Sequence, residues 1–301
     1  MIVGRVLAAI EGWAGAAVSL MDRAYVFGSL VNNDGAGFIV QGSESSPPSD
    51  IDLICFFTES AATTASGRHQ ACKHLRRLMP KLELALLLAI GRYDSGRPIV
   101  SVNFITPWEA EKCIHKDGVR RLFYLKQFRP ILPPATGFQQ LATFIDNDFH
   151  GLNEGPVRLF QYVQSVRNRY LRTNVHNEDF ARPQTGSDPV PKQLMRLAAA
   201  CAAFERDPSG RPDDLDSIDP AEGLDFLTVM LNEARSVSDP EIDSLRRWLS
   251  VARNARGTDT DMTADQSLLL SELLVDRAKS KLVRSPVDKV GAAIKRSQPT
   301  P

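Results

Sequence analysis

Residues 24–58 read AYVFGSLVNNDGAGFIVQGSESSPPSDIDLICFFT, and two features of this stretch decide the fold. Tyr25, Val26 and Phe27 form a short apolar run that stops at Gly28-Ser29. A polar segment rich in Gly, Pro and Ser follows, and Ser49-Asp50-Ile51-Asp52 then opens a second apolar run, Leu53 to Phe57. Short apolar runs bounded by turn residues predict two strands. Strand residues i and i+2 share a face, so Asp50 and Asp52 are expected side by side at the start of the second one. Adjacent carboxylates repel unless a cation lies between them. Hard, oxygen-seeking Mg²⁺ is the expected occupant, with Mn²⁺ as its substitute, shared with substrate phosphates. The Gly-Ser turn offers backbone N–H groups and a hydroxyl to a phosphate tail. A solvated turn leading into a strand is the alternative reading of the two acids.

Gly-Ser at a strand end, followed by Ser-Asp-x-Asp opening the next strand, resembles the nucleotidyltransferases of the DNA polymerase beta superfamily. Twenty residues separate Ser29 from Asp50, a longer gap than small members carry, and Asn32, Asn33, Asp34, Gly35 and Gly37 read as a loop insertion. From Gly28 to about Leu141 the chain is also similar to the aminoglycoside nucleotidyltransferases, the kanamycin type in particular. Three pieces carry that likeness in order: GSL…SDIDLICFF, then VSVNF before a helix, then RPILPPATGFQQL. The resemblance implies an α/β nucleotidyltransferase fold, a small mixed sheet with flanking helices. It implies NMP transfer from an NTP to an acceptor hydroxyl with release of pyrophosphate. In that scheme Asp50 and Asp52 are the catalytic metal ligands, and Gly28 and Ser29 bind the nucleotide.

The resemblance further implies a third carboxylate on a neighbouring strand, between two apolar residues. The best-placed strand reads Val100-Ser101-Val102-Asn103-Phe104, which puts Ser101 where the acid belongs. A serine supplies one neutral oxygen where a carboxylate brings charge. The rival is Glu83 in Leu82-Glu83-Leu84, and it requires residues 82–90 to be a strand. Their Leu and Ala content argues against that. With Ser101 at the third position, the runner-up function is a catalytically weakened, nucleotide-binding protein. It would act as a regulator in a toxin–antitoxin or defence system, with a possible protein partner.

Composition sets the outer bounds. The 301 residues carry 36 basic and 36 acidic side chains, so nothing pulls the chain globally toward nucleic acid or a membrane. The acceptor is left open among a small molecule, a protein hydroxyl and an RNA end. Cys55, Cys72, Cys113 and Cys201 show no CxxC spacing, which argues against a structural zinc site or a disulfide framework. No uninterrupted 18-residue apolar run occurs, and the N-terminus carries Arg5 and Glu11, so a cytoplasmic location is expected.

Along the chain, Val3, Val6, Leu7, Ile10, Trp13, Ala17 and Val18 recur at helical spacing. Gly67 to Met79 fits a helix whose basic residues, Arg68 to Arg77, are expected on an exposed face. Leu82 to Ile90 reads either as a buried strand or as the tail of that helix. Pro98 to Thr106 is a β-branched strand, and Thr106-Pro107 opens a helix with Thr106 as the cap. After Ile145 the strand candidates stop: Val157–Leu171, Lys192–Phe204, Gly223–Arg235, Pro240–Ala255 and Ala264–Leu282 read as helices. Expected domains are therefore 1–145 (nucleotidyltransferase), 146–283 (helical) and 284–301 (a loose tail), with the cleft between the first two. Arg169 and His176 have a spacing reminiscent of the Arg-x(4–6)-His pair of HEPN ribonucleases, and chance is the alternative. Arg167, Arg172, Lys192 and Arg196 are cations that could reach a triphosphate or simply be solvated.

Overall fold

The computed structural model describes residues 2–31, 50–92, 99–111, 114, 128–132, 154–176, 190–206, 218–233, 240–254 and 262–282. Within these, the chain divides into two compact units, residues 1–148 with 161–180, and 149–160 with 181–301. No helix among the described residues is long and apolar enough to cross a membrane.

The first unit is built on a four-stranded mixed sheet of order β3-β2-β1-β4. Its strands are β1 (Met21–Phe27), β2 (Ile51–Phe57), β3 (Val100–Ile105) and β4 (Phe128–Leu132). β1 runs antiparallel to both β2 and β4, while β2 and β3 are parallel. Helix α1 (Ile2–Ala16) buries Val6, Leu7, Ile10, Trp13 and Ala14, the periodic stripe of the sequence, and packs on α3 and β4. Every apolar residue of β2 is fully buried, as expected for a central strand covered on both faces. On the face that Asp52 shares by alternation, Tyr25, Phe27, Ile54, Phe56, Ile105, Ala110 and Phe128 form one apolar cluster. The Tyr25 ring meets Phe56 and Phe128 edge-on, with centroids 6.0 and 5.5 Å away.

After β2 the chain makes a short helix, α2 (Glu59–Ala62), and then α3 (Ala65–Ile90). Helix α3 settles the ambiguity at Leu82–Ile90, because it continues through Pro80 to Gly91, where a left-handed residue ends it. The apolar run looks continuous in sequence, yet Leu84 and Leu88 are 59% and 71% exposed while Leu82, Leu86 and Ile90 are buried. That is helical, not strand, periodicity. The expectation of an exposed basic face on this helix needs correcting at its start. Arg68 and His69 are fully buried, and Arg68 Nη1 donates to the Ala62 carbonyl at 2.9 Å, turning inward to satisfy the chain between α2 and α3.

Thr106 caps α4 (Pro107–Glu111) by a reciprocal pair: Thr106 Oγ1 accepts from Glu109 N at 3.2 Å, and Glu109 Oε2 accepts from Thr106 N at 2.6 Å. Helix α5 (Glu154–His176) is divided between the units, residues 161–176 belonging to the first. Within the first unit this segment closes the open edge of β3. Asn168 Oδ1 accepts from Val102 N at 3.3 Å, and Arg167 Nη1 donates to the Phe104 carbonyl at 3.2 Å. Both groups point away from β2, and an edge strand needs such partners to be covered.

The second unit contains α6 (Val190–Arg206), α7 (Pro220–Glu233), α8 (Pro240–Asn254) and α9 (Ala264–Leu282). Arg277 on α9 bridges Glu205 on α6 at 2.9 Å and Glu233 on α7 at 2.8 Å, and hydrogen bonding to Glu205 raises its pKa. Cys55, Cys72 and Cys201 are buried, unbridged thiols. The expectations placed on Asn32–Gly37, Cys113, Pro133–Leu141 and the tail 284–301 lie outside the described residues.

Candidate functional site

β1 ends at Phe27, and Gly28 turns the chain into a single 3₁₀ turn, Gly28–Leu30, closed by Val31 N donating to Gly28 O at 3.1 Å. Gly28 has φ +79°, a left-handed conformation that side chains resist. It is also crowded: a Cβ built on Gly28 would lie 2.8 Å from Asp52 Oδ2. The bare α-carbon of the turn is therefore what makes room for the carboxylate.

Asp52 stands in β2 between two neighbours, opposite Phe27 on β1 and level with Ser101 on β3. It is half-buried, while Asp50, one residue ahead of the strand, is exposed. Two acids thus sit at the strand end that also carries the Gly28-Ser29 turn, in which Ser29 is half-buried. Ser101 is fixed from α5. Asn168 Oδ1 is occupied by the Val102 N–H, which leaves Nδ2 to donate to Ser101 Oγ at 3.2 Å. One lone pair of the serine is thereby taken, and its own proton is left to donate.

Glu83, the rival for the third position, is held at a different place. It lies on α3, is buried, and its Oε2 accepts from Ile99 N at 3.4 Å, at the entrance to β3. The strand that its candidacy required is a helix. Among the described residues, no group of three or more His, Cys, Asp or Glu side chains could hold a metal ion. Two carboxylates and a neutral hydroxyl are what the strand ends present.

The cations expected to be either solvated or phosphate-reaching behave otherwise in part. Arg167 is fully buried, and its Nη1 contacts both oxygens of the equally buried Glu109, at 3.0 and 2.9 Å. Its guanidinium also lies 5.5 Å from the Phe57 ring centre. Arg196 is buried as well, in the second unit. Arg169 hydrogen-bonds Tyr162, whose phenol is pushed up to about 12 by burial, against the opposing pull of the Arg169 charge. Helix α5 continues through His176, past the expected end at Leu171, and the His176 side chain lies outside the described residues. The sequence reading missed Asn168 and the Arg167–Glu109 pair. Thr106-x-x-Glu109 was a visible capping signature that could have flagged Glu109, whereas nothing local marks Asn168.

A small mixed sheet with a Gly-Ser turn facing an Asp-x-Asp strand defines a nucleotidyltransferase-type protein. The chain belongs to the Pol beta superfamily nucleotidyltransferases of conflict systems, whose family model matches residues 12–280. No curated protein and no solved structure matches it.

Proposed function

We propose that this protein transfers a nucleoside monophosphate from an NTP to an acceptor hydroxyl and releases pyrophosphate, in a Mg²⁺- or Mn²⁺-dependent reaction centred on Asp50 and Asp52. Family membership supports nucleotidyltransferase activity in general. The observation that carries the finer reading is the fit of Asp52 against Gly28, where an added Cβ would lie 2.8 Å from the carboxylate oxygen. That cradle keeps an acid at the phosphate-binding turn, where an unneutralised anion would repel the nucleotide. The two residues therefore suit a divalent cation, with Asp50 and Asp52 as its protein ligands. When bound, such an ion would offset the charge of the triphosphate.

The chain's own groups divide the remaining work. Gly28 and Ser29 hold the β- and γ-phosphates through backbone N–H groups and the Ser29 hydroxyl. In the transfer, the acceptor oxygen bonds to the α-phosphorus as the bond to the β-bridging oxygen breaks, and pyrophosphate leaves with that electron pair. The acceptor proton must go elsewhere. Ser101 is a neutral hydroxyl already accepting from Asn168, so it takes no proton at neutral pH and the proton passes to water. A slow enzyme follows. The second reading, a regulator of a conflict system that binds nucleotide with little turnover, is favoured by the same serine. The acceptor remains one of the three classes named above.

The test is pyrophosphate release from each NTP with Mg²⁺ or Mn²⁺, with small-molecule, protein and RNA acceptors, for wild type and Asp50→Asn/Asp52→Asn. Slow turnover abolished in the double variant supports transfer. Metal-dependent nucleotide binding without turnover supports the regulator. Equal nucleotide binding and activity in wild type and the variant would remove Asp50 and Asp52 from either role.

A further inference from the structure

We propose that a surface cavity at the opposite end of the sheet from Asp52 is a second anion-binding site, taking a small phosphorylated ligand. The cavity, about 460 Å³, is lined by Ser19 before β1, Ser60 of α2, and Gln70, Lys73, His74 and Arg77 of α3. That volume falls within the range of small-molecule sites. Ser19 precedes β1 and Gly28 follows it. Seven strand residues at about 3.3 Å each put the cavity on the order of 20 Å from the candidate active site.

Charge and geometry select the ligand. Gln70, Lys73, His74 and Arg77 are spaced i, i+3, i+4, i+7, one stripe of a helix, so their donors converge on the same space. The cavity lining contains no carboxylate, in a chain whose acids and bases are equal in number. Lys73 and Arg77 bring two permanent positive charges, which match a phosphate monoester dianion. The planar fork of an arginine suits phosphate oxygens in particular. Across from the stripe, the Ser19 hydroxyl can donate to a remaining oxygen, while Ser60 Oγ already shares a hydrogen bond with Thr58 Oγ1 at 3.2 Å and can donate further only if it accepts from Thr58.

The walls are pinned. Thr58 N donates to Leu20 O at 3.0 Å, tying the end of β2 to the start of β1, and Gly67 N donates to Thr64 Oγ1 at 3.0 Å. Gly67 also packs so closely that a Cβ there would lie 2.9 Å from the Ala61 carbonyl oxygen. The side chains of the stripe thus project from a fixed frame.

The experiment uses the full chain in EDTA, titrated calorimetrically with AMP and, separately, with sodium pyrophosphate. Binding of either probe is expected at one site per chain. It should weaken at least tenfold in Lys73→Gln/Arg77→Gln and persist unchanged in Asp50→Asn/Asp52→Asn. Arg77 is exposed and Lys73 half-buried, and an unchanged melting midpoint verifies that the variant is folded. Persistence in the Asp50/Asp52 variant separates this site from the proposed transfer reaction, so either can fail alone. The proposal is overturned by binding that survives Lys73→Gln/Arg77→Gln, by binding that disappears in the Asp50/Asp52 variant, or by no heat of binding from either probe at millimolar concentration. Much tighter binding of a short single-stranded RNA, lost in the same variant, would overturn the small-ligand assignment and give this face to a polymer.

Discussion

Replacing Arg167 by methionine should destabilise the protein more than any other single change outside the apolar core of the first unit. Arg167 and Glu109 are both fully buried, and Nη1 reaches the two carboxylate oxygens at 3.0 and 2.9 Å as well as the Phe104 carbonyl at 3.2 Å. Methionine fills much of the same volume, so the loss is electrostatic. It strands a buried carboxylate and orphans a β3 carbonyl. Breaking a buried pair by removing one partner costs about 3–5 kcal/mol. At about 2–4 °C per kcal/mol for a body of 150–250 residues, the melting midpoint should fall by roughly 6–20 °C. Arg167→Met/Glu109→Gln should recover part of this. The amide removes the stranded charge, and its oxygen can still accept from Thr106 N, now 2.6 Å from Glu109 Oε2. The assay is a double-mutant cycle by thermal and urea melts at one pH and salt concentration. A loss below about 1 kcal/mol for Arg167→Met, the range of exposed pairs, would refute the reasoning, as would strictly additive effects of the two substitutions.

Three further outcomes are expected. Gly28→Ala should cost about 1–3 kcal/mol for its positive φ and weaken metal-dependent NTP binding beyond that, because the new Cβ displaces Asp52; unchanged binding in a folded variant would reduce Gly28 to a turn residue. Ser101→Asp should raise pyrophosphate release by up to about 10²-fold, the lower end of general-base assistance, with Asn168 Nδ2 supporting the new carboxylate; no gain over a robust wild type would show that the base lies elsewhere. Burial pushes the phenols of Tyr25 and Tyr162 up to about 12. The raised pKa values favour the neutral phenol in the folded state, so that stabilisation is complete below pH 10 and is lost as pH rises toward 12. Urea melts should therefore show stability falling as pH rises from 10 to 12, and a flat stability across that window would contradict the raised phenol pKa values.

What the sequence determined by itself is what short-range pattern encodes. The strands around Val26 and Leu53, the β-branched strand ending at Ile105, the Thr106 cap and the helices after residue 145 were all legible. Each is specified by residues within a turn or a strand length of one another. The Asp-x-Asp signature was legible for the same reason, and the resemblance pointed to Ser101 as the position at which to look for a third acid. Tertiary structure decided the rest. Leu82–Ile90 could be read either way until burial separated Leu84 and Leu88 from their neighbours. Arg68 and His69 went inside against the pattern, and Arg68 there supplies a donor to the Ala62 carbonyl between α2 and α3. The contacts that hold β3 in place join residues 58 to 67 positions apart, Arg167 to Glu109 and Phe104, Asn168 to Ser101 and Val102. No local periodicity announces such partners. They follow from the edge strand's need to satisfy its outward N–H and C=O groups, a requirement that exists only after the sheet has formed and a helix has come to lie along it.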